Sequence, residues 1–173
     1  ESRTSVRRIT SHLLEQGRTL PGFIGDIGYA QSNRERYEGF CQALTDAGKK
    51  VDSSLCLTTP LGIDTYREEI DTFLSSLSRM PDAFVCASDY VACILMQLLE
   101  KRGLRVPEDV AVSGFDNNTE DLLAEHLTTV QVFNEELGAR LALQILYRIK
   151  YPNTPHEITY LGTNVLYRDS TGD

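Results

Sequence analysis

A chain of 173 residues, 41% apolar and 24% charged, is long enough to bury one sizeable core and has an ordinary globular composition. Its 17 basic and 25 acidic residues give a formal charge of −8, which repels phosphate backbones and argues against direct contact with nucleic acid. No apolar run approaches the ~18–20 residues that a membrane-spanning helix needs. The opening residues lack both the apolar centre of a signal peptide and a start-like feature, so the chain reads as a segment of something longer.

Residues 4–17 form the first predicted helix, with Val6, Ile9 and Leu13 on one stripe and Gly17 as its stop. A strand at 20–25 follows. The next helix opens at Ser32 and Glu35, the spacing of a capping box, and lines up Tyr37, Phe40, Leu44 and Ala47 before Gly48. A strand at 51–57 leads to a second capping box, Thr65 with Glu68, and to a stripe of Ile70, Phe73, Leu74 and Leu77. After a strand at 83–87, Asp89 is placed to cap a helix at 90–102. The middle of that helix is apolar nearly all round, so it needs cover on a second face, from another segment or another subunit.

The stretch 107–118, PEDVAVSGFDNN, holds a short apolar run that ends in Gly114, Phe115 and Asp116. A buried parallel strand opening onto a crevice has this form. A polar loop with one short helix fills 116–126, and 127–132 is a strand. Asn134 then caps a helix striped with Leu137, Leu141, Ile145 and Ile149. Strands at 157–161 and 164–167 close the chain. Strand and helix alternate with short connections, which points to a doubly wound parallel α/β sheet.

Three predicted strands deliver polar groups to one edge: Asp26, then Ser88 with Asp89, then Asp116. The three acids could serve metal or acid–base chemistry; the plainer reading makes Asp89 a helix cap and Asp26 a loop residue. A phospho-acceptor domain would want paired acids and a late lysine, which are missing. His12, His126 and His156 are scattered, and no phosphate-binding glycine loop or nucleophile elbow occurs. The four cysteines, Cys41, Cys56, Cys86 and Cys93, show no CxxC spacing and read as small buried hydrophobes in a reducing compartment. Arg36 near the edge, facing Asp116 across the strand ends, sets a donor fork opposite an acceptor. That suits a small polyhydroxylated or planar polar ligand.

At this point the residues resemble the effector-binding domain of the lactose/galactose repressor (LacI/GalR) family. The likeness runs through RERYEGFCQALTDAG, PDAFVCASDYVA, GLRVPEDVAVSGFDNN, LTTVQVFNEELG and TNVLYRDST, in order and over nearly the whole chain. It implies a type I periplasmic-binding-protein-like fold: two α/β subdomains joined by crossing strands, with ligand between them. Residues 18–131 with 162–173 would form the C-terminal subdomain, and 1–17 with 134–161 a remnant of the N-terminal one that packs irregularly or against another copy. The DNA-binding headpiece would lie outside this chain.

The resemblance makes Arg36 and Asp116 effector-binding residues, with Asn117 beside them and Ser88 where many members carry asparagine. No stacking aromatic falls at 60–63, and Phe133 is the substitute. On the helix at 90–102, Cys93, Met96, Gln97 and Glu100 would face a two-fold mate, flanked by 118–126. The function implied is sensing of a sugar effector by a cytoplasmic, homodimeric repressor, without cofactor, metal, membrane or catalysis. A solute-binding protein for sugar transport is the alternative.

Overall fold

The computed structural model describes residues 1–62, 64–117 and 122–173. Ile63 of the segment searched for an aromatic, and residues 118–121 of the expected dimer flank, lie outside the described residues. Helix α1 (Ser2–Glu15) precedes strand β1 (Pro21–Ile24), and α2 (Gln31–Asp46) leads to a short β2 (Cys56–Leu57). Then come α3 (Tyr66–Ser76), β3 (Ala83–Cys86), α4 (Asp89–Lys101) and β4 (Ala111–Ser113). Strand β5 (Thr129–Gln131), helix α5 (Asn134–Lys150) and β6 (Asn164–Leu166) complete the order.

Strands β1 to β4 form a parallel sheet in the order β2-β1-β3-β4, with Phe23 opposite Val85 and Val85 opposite Ser113. Parallel bridges from Ser113 to Thr128 and from Asp116 to Gln131 bring β5 alongside β4, and β6 returns antiparallel to β5. Alternation along the strands divides the core. Ile24, Phe84, Cys86 and Val112 meet Ile70, Leu74, Leu95 and Leu99 of α3 and α4. Phe23, Ala83, Val85 and Ala111 meet Val6, Ile9, Leu13 and Phe40 of α1 and α2. Each fully buried large apolar side chain stabilises the fold by about 1.5–3 kcal/mol.

Helix α1 is therefore part of this unit. The expected grouping of residues 1–17 with a separate remnant is corrected: Val6, Ile9 and Leu13 are wholly buried in the same cluster as Phe23. Close approach makes this possible, because a Cβ at Gly39 of α2 would overlap the Arg3 carbonyl of α1. Salt bridges from Arg3 to Glu38 and from Arg7 to Asp46 line the exposed rim of the same seam.

Neither capping box forms. Ala30 takes the N-cap of α2 without a side-chain bond, and Glu35 turns inward to accept from the Tyr160 hydroxyl at 3.3 Å. Thr65 is the N-cap of α3 but donates to Glu69, one residue past the expected Glu68. The expected strand at 51–57 shrinks to Cys56–Leu57, because a 3₁₀ turn at Ser53–Leu55, held by Asp52, takes up its first half. Residues 157–161 form no strand. Among the described residues no disulfide forms, and Cys86 and Cys93 are buried in the core.

Helix α4 finds its second cover within the chain. Leu95, Leu98 and Leu99 pack with α3 and with Leu123, so no second subunit is needed to bury them. Helix α5 differs. None of its residues is buried, and its stripe stands open, with Leu141 at 59% and Ile149 at 73% exposure.

Candidate functional site

Strands β1, β3 and β4 end on one edge of the sheet, and two charged side chains meet there. Arg36 comes from α2 and Asp116 from the residues after β4. The guanidinium Nη2 donates to Asp116 Oδ1 at 3.2 Å, and Nη1 donates to the Ala87 carbonyl and, at 3.4 Å, to Asn33 Oδ1. Its Cζ lies 3.7 Å from the centre of the Phe115 ring, within the range of a cation–π contact. Only 9% of Arg36 is exposed, and its Nε is buried with no partner.

The backbone at Asp116 is unusual. Asp116 has φ 111° and Asn117 has φ 47°, two successive non-glycine residues on the left-handed side of conformational space. Such positions cost about 1–3 kcal/mol each and persist only where neighbours hold them. Here the Asp116 N–H donates to Val130 O at 3.1 Å, and the Asn117 N–H donates to Thr129 Oγ1 at 3.3 Å. Gly114 lets the turn approach α4, since a methyl there would overlap the Asp89 carboxylate.

Burial dominates the electrostatics of the pair. It pushes the Asp116 carboxyl above the ordinary aspartate value, against the pull of Arg36, and it lowers the Arg36 guanidinium, against the pull of Asp116. The two were expected to face each other across the strand ends. They meet there in direct contact, presenting a joint donor–acceptor surface.

The other expected ligand contacts fare less evenly. Asn117 already uses its amide: Nδ2 donates to Gln131 Oε1 at 2.5 Å, and Oδ1 accepts from Arg168 Nη2 at 3.0 Å. Ser88 is the N-cap of α4, its hydroxyl accepting from the Val91 N–H at 3.3 Å, so the cap expected of Asp89 belongs to Ser88. Asp89 instead is buried and accepts from Thr129 Oγ1 at 2.5 Å. Asp26 accepts from the Gly28 and Tyr29 N–H groups at 2.8 and 3.0 Å, the loop role expected of it. Phe133 is half-exposed and lines an open groove of about 680 Å³ with Asn117, Gln131, Val132, Asn134 and Glu135.

On α4, Cys93 is buried in the chain's own core and is not presented to a mate, a correction to its expected place. Met96 and Gln97 are half-buried and Glu100 is exposed; Gln97 accepts from Arg67 of α3. Among the described residues no group of three His, Cys, Asp or Glu side chains converges on a metal position. No helix there is long and apolar enough to cross a membrane.

Sequence reasoning passed over three tyrosines at the same edge. Tyr29 sits in the loop after β1, Tyr90 in the first turn of α4 after β3, and Tyr66 opens α3, nine residues past the end of β2. The placement of Tyr29 and Tyr90 just beyond strand ends was the available signal.

Residues 10–171 match the family of the periplasmic binding protein-like domain. The HTH-type transcriptional regulator DegA of Bacillus subtilis is 35% identical over 130 residues, 74% of this chain and 38% of DegA. A solved transcriptional regulator of the LacI family from Sanguibacter keddieii superimposes with a TM-score of 0.85 at 28% identity, covering 99% of this chain and 65% of that one. The solved complex of the regulator CelR with cellobiose gives a TM-score of 0.85 at 28% identity, covering 98% of this chain and 52% of CelR. The chain thus spans about two fifths to two thirds of the length of these relatives. It belongs to the periplasmic binding protein-like domain family, and its relatives are LacI-type transcriptional regulators.

Proposed function

We propose that this domain senses a small-molecule effector, a sugar, for a LacI-type DNA-binding transcriptional regulator. The observation that carries the reading is Arg36: a buried guanidinium with an unpartnered Nε, set against a strained acid at the strand ends. Burying a cation while leaving one of its donors unused is costly unless a ligand completes the arrangement. A sugar hydroxyl both donates and accepts, so one hydroxyl donates to Asp116 while it or its neighbour accepts from Arg36. The CelR relative bound to cellobiose supports a saccharide, and regulators among the relatives favour sensing over the transport alternative.

The open stripe of α5 suggests the rest of the architecture. Residues 1–131 and 162–173 make one lobe, and α5 with residues 151–161 contributes to a second lobe on a longer polypeptide. Effector bound between the lobes changes their relative angle. A homodimer, with Met96, Gln97 and Glu100 of α4 at its seam, passes that change to DNA-binding heads, whose presence elsewhere fits the acidic charge of this domain. The protein works in the cytoplasm and catalyses nothing.

A thermal-shift screen of monosaccharides, disaccharides and purines on the two-lobed protein tests the reading. A saccharide at about 100 times its Kd adds about 2.7 kcal/mol and raises Tm. A response to purines alone, or to none of these, contradicts it.

A further inference from the structure

The Arg36–Asp116 pair accounts for one end of the sheet edge. Toward the other end stand the three tyrosines. Tyr66 opens α3, nine residues past the end of β2, and Tyr90 lies in the first turn of α4 just after β3; β1 runs between those two strands. Their rings come within 5.7 Å of each other, centre to centre, at 82°. Asp26 and Tyr29, both in the loop after β1, are neighbours of Tyr66. Tyr29 is 74% exposed; Tyr90 is 58% exposed. Burial pushes the Tyr66 hydroxyl above its ordinary value, with Asp26, Tyr29, Tyr90 and Glu69 adding to the effect as its charged or ionisable neighbours.

Hydrogen bonds join this cluster to the pair. The Tyr29 N–H donates to Asp26, Asn33 Nδ2 donates to the Asp26 carbonyl at 2.9 Å, and Asn33 Oδ1 accepts from Arg36. The Arg36 site lies over β3 and β4, where it touches Ala87 and Asp116. Asp26 and Asn33 thus place the tyrosines beside the Arg36 site along the same edge.

Resting on the sugar-sensing reading, we infer that Tyr66 and Tyr90, flanked by Tyr29, form a second ring subsite, and that the effector is a disaccharide. One ring binds through its hydroxyls to Arg36 and Asp116. The next lays its flat C–H face on exposed tyrosine, an apolar contact for which an aromatic ring with a polar tip is well suited. Two rings seated on one edge give the site its preference for disaccharides over their component sugars, because a monosaccharide fills only the first subsite.

Calorimetric titration of the two-lobed protein tests this, using cellobiose, maltose, lactose and sucrose beside glucose and galactose. One disaccharide binds at least about tenfold tighter than either monosaccharide, about 1.4 kcal/mol. In the Tyr66→Ala/Tyr90→Ala protein that preference disappears while monosaccharide affinity is kept; the double Phe variant retains the preference, since stacking uses the ring. Arg36→Ala loses every sugar. Tyrosine variants that weaken all sugars alike overturn the second subsite while leaving the Arg36 site standing, provided Arg36→Ala still abolishes binding. Wild-type binding in Arg36→Ala, or no binding of any sugar, overturns both.

Discussion

Arg36 lies with its guanidinium carbon 3.7 Å from the centre of the Phe115 ring, one residue before the strained Asp116 that it also contacts. The aromatic face seals one side of the cation, so its edge is what remains for Asp116 and a ligand. A planar fork suits that slot and a lysine ammonium does not. Arg36→Lys is expected to weaken effector binding about 10- to 100-fold, from about 1.5–3 kcal/mol for a lost hydrogen bond to a charged group. Titration calorimetry reads the loss, and an unchanged Kd would rule out a role for the fork.

Asp116 is expected to make effector binding pH-dependent. Burial holds its folded-state carboxyl above the unfolded value of about 3.9. The native chain therefore binds a proton before the unfolded chain does. This contribution to stability grows as pH falls through the raised value and levels off below about 3.9. Effector binding runs the other way, because protonation removes the charged acceptor. Affinity is expected to fall in that window in the wild type and to be weak and flat in Asp116→Asn, which calorimetry between about pH 4 and 7 measures.

Much of this arrangement was legible. The run Val110-Ala111-Val112 followed by Gly114, Phe115 and Asp116 specifies a buried strand, a close approach and a polar end, and all three occur. The capping boxes misled because local spacing is overruled by tertiary partners: Glu35 turns inward, where Tyr160 reaches it across 125 residues. The apolar surround of α4 correctly demanded a second cover, but periodicity cannot say that α3 and Leu123 supply it. The positive φ of Asp116 and the convergence of Tyr66 with Tyr90 depend on strand order, which no single segment encodes.

Helix α1 is an integral part of the sheet unit. Ile9→Ala removes a wholly buried side chain and is expected to cost about 2–5 kcal/mol. Urea denaturation measures it, and a change under about 0.5 kcal/mol, the size of a surface substitution, would place α1 outside the core.

Gly114 is expected to tolerate no side chain. In Gly114→Ala the added methyl meets the Asp89 carboxylate and Leu127, costing about 1–3 kcal/mol through overpacking. The Tm of the variant should fall, and its effector response should weaken with the displaced turn.

Helix α5 should behave oppositely. Leu141→Asp changes an exposed position in this chain, so its unfolding free energy should shift by no more than about 0.5 kcal/mol. The same change in the two-lobed protein is expected to cost several times more. In this chain alone, amide hydrogens of residues 134–150 should exchange well ahead of those in β1 and β3. Strong protection of α5 in the monomer would mean that the chain already covers it.

Arg36 and Asp116 are proposed here as the floor of a saccharide-sensing site. Titration of the disaccharide panel into the two-lobed wild type and Arg36→Ala, with circular dichroism confirming the fold of each, tests this role. Saturable binding in the wild type and none in a folded Arg36→Ala is the result predicted. Wild-type affinity in Arg36→Ala would contradict it.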